Sequence, residues 1–463
     1  MHQSIRPQKK LSRRNFLCAA GTGTFAVMTS RASAGEAKIP PNEKTTLACI
    51  GTGGQGLQNL AALIEFPEIQ VVAVCDVVKE SSDYQSWNWS SGNERRPAGR
   101  EPARRLVDAH YGKTGCRAYT DYRELLEKED VDAVMVATPD HSHAVITMAA
   151  LKRGKHVYCE KPLTWSVYEA RLVAETAQKA GVATQLGNHG QATEEARVTC
   201  EMIWDGAIGP VHEVQVWNPA RFWHYPAFEG RPKDTPPAPD GLDWNLWLGP
   251  APERPYHPEY CPWTWRNWWA FGTGLLGDLG CHKLSTVFKA LKLTCPETIE
   301  ASSTKLDPEI YPQGVIARYR FPARGGMPPL KLTWYDGGLK PPRPEELEPG
   351  RGLGGVIYIG EQGKMMDHRL IPEARMKEYG VPPKKLERSP GHYKEWVDAC
   401  RGGRPAGANF VDHGGLLTET PLLGNVALRA GKKLEWDGPN LKVSNDDKAN
   451  EFLHREYRDG WSL

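Results

Sequence analysis

The chain has 463 residues, 58 of them Lys or Arg and 56 Asp or Glu, for a formal net charge of +2. That length accommodates two or three domains with separate cores, and a balanced charge without blocks of one sign argues against nucleic acid or an anionic surface as partner and for small molecules. Ten cysteines with no C-x-x-C pair and no zinc-type spacing predict free, buried thiols and no metal site.

In chain order, Ser12-Arg13-Arg14-Asn15-Phe16-Leu17 follows Lys9 and Lys10 and precedes a weakly apolar stretch from Cys18 to Thr29. This pattern resembles a twin-arginine export signal, and Ala32-Ser33-Ala34 supplies small residues for cleavage. Residues 1–34 are therefore expected to be a signal peptide that sends the protein to the periplasm. No other run is long and apolar enough to predict a membrane span.

The run Thr45 to Ile50 reads as a buried strand feeding Gly51-Thr52-Gly53-Gly54-Gln55-Gly56, which opens a helix from Leu57 to Phe66. A second apolar strand, Gln70 to Cys75, ends at Asp76. Strand, glycine loop, helix, strand and acid together form the βαβ signature of a dinucleotide site. The first glycine allows the tight turn, the second the approach of the pyrophosphate, and the third the packing of helix on strand. Asp76 would accept hydrogen bonds from ribose hydroxyls and repel a 2′-phosphate, which predicts NAD rather than NADP. Twin-arginine carriers move folded proteins with cofactor aboard, so this NAD is expected to be held tightly through many turnovers.

A polar excursion from Lys79 to Pro102, holding Trp87 and Trp89, interrupts the alternation. It resumes with a strand near Cys116 to Tyr119, a helix from Asp121 to Glu129 with Asp121 as N-cap, and a strand from Asp132 to Thr138. A helix from Ala144 to Arg153, a strand from Lys155 to Cys159, a helix from Val167 to Ala180 and a strand from Val182 to Leu186 complete the pattern. This predicts a doubly wound parallel sheet, the Rossmann domain, over residues 42–187. From Asn188 the pattern changes to strands at Val211 to Trp217, Thr298 to Ser303, Gly314 to Phe321, Leu330 to Tyr335 and Val356 to Ile359, with helices at Tyr393 to Cys400 and Gly415 to Ala430. Residues 188–440 are thus predicted to form a second α/β domain on an open, mainly antiparallel sheet, and residues 441–463 a tail that packs on the body or on a neighbour. An open sheet needs covering, which predicts a homodimer or homotetramer.

Open α/β sheets bind ligands at the carboxyl ends of their strands, so Lys161 of Glu160-Lys161-Pro162 emerges where the nicotinamide should lie. Pro162 keeps Lys161 extended; the alternative is a solvent-facing lysine at a strand end. Asp278 and His282 in Gly277-Asp278-Leu279-Gly280-Cys281-His282 share a helix face, where a carboxylate can orient an imidazole that moves a proton; such pairs also occur on surfaces and at metals. Asn188 and His189, at the cleft between domains, are candidate substrate contacts. Tryptophans concentrate at Trp217, Trp223, Trp244, Trp247, Trp263, Trp265, Trp268 and Trp269. Most are expected to be structural, with one or two available to stack on a sugar.

The glycine loop, Thr138-Pro139-Asp140-His141-Ser142-His143, Glu160-Lys161-Pro162 and the Gly-Asp-x-Gly-x-His segment, in this order, resemble the Gfo/Idh/MocA oxidoreductases from about Thr45 to His282. The resemblance implies oxidation or reduction of sugar or cyclitol hydroxyls. It places Lys161 at the reacting hydroxyl and the cofactor, with Asp278 and His282 assisting substrate binding and proton transfer. It also puts Gly51, Gly53, Gly54, Gln55, Gly56, Asp76, Thr138, Pro139, His141, His143 and Glu160 around the dinucleotide, with simple helix capping as the alternative for the two histidines. The leading expectation is an exported, NAD-dependent oxidoreductase acting on a sugar or glycoside, with C3 as the preferred position. Two alternatives stand beside it: a glycosidase working by transient oxidation with tightly held NAD, disfavoured because such relatives tend to lack the lysine, and a non-catalytic dinucleotide-binding sugar sensor.

Overall fold

In the first sheet six parallel strands, β1 (Thr45–Ile50), β2 (Ile69–Cys75), β3 (Arg117–Tyr119), β4 (Ala133–Val136), β5 (His156–Cys159) and β6 (Thr184–Leu186), lie in the order β3-β2-β1-β4-β5-β6. The computed structural model describes residues 39–86, 94–218 and 229–463. The export segment, Trp87, Trp89 and Trp223 lie outside them. Strands buried on both faces need continuous apolar side chains, and Leu47, Ala48, Cys49, Val134, Met135 and Val136 supply them. The covering helices are α1 (Gly54–Leu63), α2 (Arg100–Tyr111), α3 (Tyr122–Lys128), α4 (Asp140–Leu151) and α5 (Val167–Ala180). Ser166 and Glu169 close a capping box at the start of α5, and Gly181 ends it at φ 64°.

Two helices of the first domain differ from the sequence reading. Helix α2 takes up the end of the polar excursion and the residues beyond it; only Ala103 and Val107 of α2 are buried, too thin an apolar stripe to read from the sequence alone. Helix α4 starts at Asp140 rather than Ala144, because Pro139 supplies the extended entry and the polar first turn is buried against other elements instead of facing solvent.

Helix α6 (Glu194–Trp204) leads into the second sheet. Its nine strands are β7 (Val211–Trp217), β8 (Thr298–Ser303), β9 (Val315–Phe321), β10 (Leu330–Tyr335), β11 (Val356–Gly360), β12 (Gly363–Met366), β13 (Arg369–Ile371), β14 (Leu434–Asp437) and β15 (Lys442–Val443). They run in the order β13-β12-β11-β7-β10-β9-β8-β14-β15, and only the β7–β10 pair is parallel. Between the first and second of these strands come α7 (Trp244–Leu248) and α8 (Gly274–Leu291). Helix α8 packs on α6 and on the helix Gly415–Ala430, which also touches α5 and β8. One apolar core therefore runs from Leu186 of the first sheet through Leu276, Leu284 and Phe288 to Tyr319 and Trp334 of the second.

The tryptophan-rich segment builds a small core of its own. Trp247, Tyr260, Trp265, Trp268, Phe271 and Ile310 pack together, with Val77 and Leu242 at the margin. Asp243 N donates to Val77 O (3.0 Å) and Lys79 N to Gly241 O (2.8 Å), docking the segment beside the end of β2. The tail packs on the body of the same chain. Arg455 lies 3.8 Å from the Trp165 ring centre, the Tyr457 hydroxyl donates to Glu169 (2.7 Å), and Arg123 lies 4.7 Å over Trp461. The nine described cysteines are all free.

Asp336, just beyond β10, is 1% exposed and accepts hydrogen bonds from Val315 N (2.6 Å) and Trp334 Nε1 (2.8 Å). Burial outweighs both bonds and pushes its carboxyl up to about 7. A carboxyl raised in the folded state favours folding while protonated, and that advantage is lost as pH rises through the folded value. The stability of the wild type relative to Asp336→Asn should therefore fall between about pH 4 and about pH 8 by a few kcal/mol, measured by urea unfolding at both ends. A pH-independent difference would show that this carboxyl is not buried as described.

Candidate active site

The carboxyl ends of the first sheet build the dinucleotide cradle. Gly51 turns at φ +83°, and a Cβ there would lie 2.6 Å from the Ala137 carbonyl carbon. A Cβ at Gly56 would meet the Gly51 carbonyl oxygen at 1.8 Å, so α1 can lie on β1 only with glycine at this position. The first turn of α1 has no side-chain cap, which leaves its N–H groups facing outward for a phosphate. Asp76 accepts from Thr52 N (2.7 Å) and Val78 N (2.8 Å), and burial raises its carboxyl above the ordinary value. Oδ1 keeps a lone pair for a ribose hydroxyl, while Oδ2 also accepts from the Thr52 hydroxyl (3.5 Å). These residues fit NAD.

Farther along the sheet edge, the ammonium of Lys161 is bonded to Asp278 of α8, reaching both a carboxylate oxygen and the backbone carbonyl (3.0 Å). The pair joins the segment after β5 to α8, with each side chain 15% exposed. Burial opposes the charge on Lys161, yet Asp278 more than offsets it and raises the ammonium above its usual value. Burial likewise opposes ionisation of Asp278, and Lys161 followed by Arg266 brings the carboxyl below its usual value. His282 lies one turn on along α8, with no hydrogen-bond partner among the described residues. Burial, then Lys161, lowers its imidazole to about 3, so the ring is neutral at neutral pH.

Two further ionisable groups at this centre were assigned no role from the sequence. Arg266 Nε lies 3.6 Å from the other oxygen of Asp278. Asp140, 2% exposed at the start of α4, accepts from the Thr273 hydroxyl (2.7 Å) at the head of α8. Burial, then the Asp278 charge, raises Asp140 to about 7. Asp140 stood inside a quoted motif but was given no role, because the helix was read as starting at Ala144 and nothing in the sequence shows its bond to Thr273. Arg266 is 12 residues from Asp278 in sequence, and only the folded segment brings it near.

Behind Lys161, Glu160 sits over Gly187, where a Cβ would lie 2.6 Å from the carboxylate. It accepts from Asn59 Nδ2 of α1 (2.8 Å), tying the glycine-loop helix to the segment that carries Lys161. The Tyr158 hydroxyl lies 3.4 Å from Glu160 and 3.2 Å from Nε2 of both His189 and His392. Gln185 Nε2 donates to His392 O (3.1 Å) and faces His392 Nδ1 (3.0 Å), so this nitrogen accepts and the proton sits on Nε2, toward Tyr158. His189 stacks on His392 with ring centres 4.2 Å apart.

The other sequence candidates occupy defined positions. Asn188 is fully buried, and its Nδ2 donates to Ser285 of α8 (2.9 Å). His143 faces Pro162 O (2.7 Å) with Nδ1 and Thr138 O (2.8 Å) with Nε2, bridging the segments after β4 and β5. His141 is buried against Trp247 and Phe271, its Nε2 2.9 Å from Trp247 O, and so anchors the aromatic segment to α4. No group of three or more His, Cys, Asp or Glu residues able to hold a metal occurs among the described residues.

Comparison with known proteins agrees with this architecture. The model described as "Oxidoreductase family, NAD-binding Rossmann fold" matches residues 45–188, and "Oxidoreductase family, C-terminal alpha/beta domain" matches residues 196–312. A glycosyl hydrolase family 109 protein of Shewanella baltica (strain OS155 / ATCC BAA-1091) is 24% identical over 43% of this chain and 44% of its own. A 1,5-anhydro-D-fructose reductase of Ensifer adhaerens is 38% identical over 20% of this chain and 28% of its own. The chain thus spans less than half the length of these curated relatives. The WlbA dehydrogenase from Bordetella pertussis, solved with NADH and UDP-GlcNAcA, shares the fold at TM-score 0.55 and 15% identity, covering 85% of this chain and 99% of that one. With both domain models matched in order across the glycine loop, Lys161 and α8, the chain belongs to the Gfo/Idh/MocA family of NAD-binding oxidoreductases.

Proposed function

We propose that the protein oxidises or reduces a hydroxyl carbon of a sugar or glycoside, with Lys161, Asp278 and His282 at the reacting oxygen. The observation that carries this reading is the buried Lys161–Asp278 pair at the carboxyl ends of the first sheet, with a neutral, unengaged imidazole one helical turn away. When bound, the nicotinamide supplies the hydride acceptor at C4.

The protein's share of the chemistry follows from its charges. Asp278 keeps Lys161 protonated, so the ammonium acts as a hydrogen-bond donor that stabilises negative charge on the substrate oxygen. The hydroxyl proton goes to neutral His282 as the C–H electron pair leaves as hydride and the carbonyl forms. Reduction runs the same steps backward. The similarity to a reductase of an anhydro sugar and the fold shared with a dehydrogenase solved with a nucleotide sugar support a carbohydrate substrate, and a glycoside oxidised at C3 is the preferred form.

The arginine pair at Arg13 and Arg14 supports export to the periplasm, with NAD carried inside the folded protein and recycled in place. The free edges of β13 and β15 and the open second sheet support a homodimer or homotetramer. The matched glycosyl hydrolase family 109 relatives favour a second reading, NAD-dependent glycoside cleavage that begins with the same oxidation. Purified without added cofactor, the protein should carry NAD, and the bound nicotinamide should become reduced on addition of an active glycoside. Persistent reduced nicotinamide with an intact glycosidic bond supports the oxidoreductase; release of the aglycone with NAD returned oxidised supports the glycosidase; protein that neither carries nor binds NAD overturns both.

Lys161→Ala should lower turnover by roughly 10²–10⁴-fold while the dissociation constant for NADH stays within about twofold. Turnover near that of the wild type would remove Lys161 from the chemistry.

A further inference from the structure

The tryptophan-rich segment has one feature that core packing does not explain. Residues Thr264–Asn267 form a single 3₁₀ turn, in which side chains three apart eclipse, so Trp263 and Arg266 fall on one side. The Arg266 guanidinium carbon lies 4.3 Å from the Trp263 ring centre and 4.1 Å from that of Trp265. One terminal nitrogen donates to Trp263 O (3.2 Å), and Nε faces Asp278 Oδ2 at 3.6 Å. The backbone is seated as closely: a Cβ on Gly272 would lie 2.6 Å from Arg266 Cα. Indole faces, a carbonyl and a glycine thus fix one cation beside the carboxylate that holds Lys161.

We propose that Arg266 is a positioning residue that keeps Asp278 ionised and oriented, so that Lys161 stays charged and directed at the reacting oxygen. This rests on the reading that Lys161 and Asp278 form the reaction centre. The physical need comes from Asp140. Asp278 is faced by Lys161 from the segment after β5, by Arg266 from the aromatic segment, by His282 from its own helix and by Asp140 from α4. With His282 neutral, Lys161 and Arg266 are the cations beside the two carboxyls, and with both present the proton is taken by Asp140, raised to about 7, while Asp278 stays ionised. Arg266 supplies the second positive charge. Arginine suits the position because its planar, weakly hydrated group stays charged while stacked between indoles, where an ammonium keeps its charge but loses the stack.

The test is a carbon-detected pH titration of the Asp278 carboxyl in NAD-loaded protein labelled at aspartate, with the resonance assigned by its loss in Asp278→Asn. In the wild type Asp278 should remain ionised down to the acid limit of folding. In Arg266→Gln it should titrate at least one pH unit higher, a tenfold rise in proton affinity, and Arg266→Lys should restore most of the difference. If Arg266→Gln does not fold, Trp263→Leu, which removes one face of the clamp, should move the same titration upward by a smaller amount. An unchanged Asp278 titration in whichever of the two variants folds overturns the proposal, whatever happens to melting temperature. Loss of activity in Lys161→Ala bears on the reaction centre alone, so the two readings fail separately.

Discussion

The ion pair between Lys161 and Asp278 is the constraint on which the rest of the site depends. One partner comes from the end of a parallel strand in the first sheet, the other from the long helix lying on the second sheet, and the pair is mostly removed from water. Taking two charges out of water is costly, and separating them after burial costs more, so the surroundings must hold both ends in place. They do so from several directions. His143 bridges the segment after β4 to the lysine segment after β5, and the Asp140–Thr273 bond ties the head of α4 to the head of α8. The shared core through Leu186, Leu276 and Phe288 keeps the two sheets from sliding apart.

Around that pair the electrostatics sort the groups by role. The cation is strengthened, the adjacent carboxylate is kept ionised, the histidine is kept neutral, and a second carboxyl is held near the middle of the physiological range. Burial sets the direction for His282 and Asp140, whereas for Lys161 and Asp278 it opposes the charge and is outweighed by the charged partners. A centre arranged this way, with a fixed donor beside an available acceptor, suits the proposed movement of a proton alongside a hydride.

Much of this was legible in the sequence because it depends on local order. The glycine loop, Asp76, Lys161 before a proline, and Asp278 and His282 at helical spacing are all patterns within a few residues, and the strands at Val211–Trp217, Thr298–Ser303 and Leu330–Tyr335 fall where alternation put them. Arg266 and the Tyr158–His189–His392 cluster were not legible, since their partners are far away along the chain. No spacing rule connects Tyr158 to His392 across 234 residues. The edge strands β12 to β15 were missed because they are two to four residues long, too short for a period to register. The tryptophans illustrate the same limit: their abundance was plain, but which of them form a core and which hold an arginine is decided only by the fold.

The closing residues carry a consequence for how the molecule comes into being. Arg455 covers Trp165, Tyr457 bonds Glu169 in the capping box of α5, and the Leu463 carbonyl accepts from Lys152 just beyond α4. The helix Gly415–Ala430 packs on that same α5. Synthesis proceeds from the amino end, and domains tend to form as they emerge. Here, however, the outer helices of the first domain are covered only when residues 455–463 have been made. A chain lacking residues 455–463 therefore shows an uncovered indole and a capping glutamate short of one partner, so a segment far along the chain finishes the surface of the domain made first.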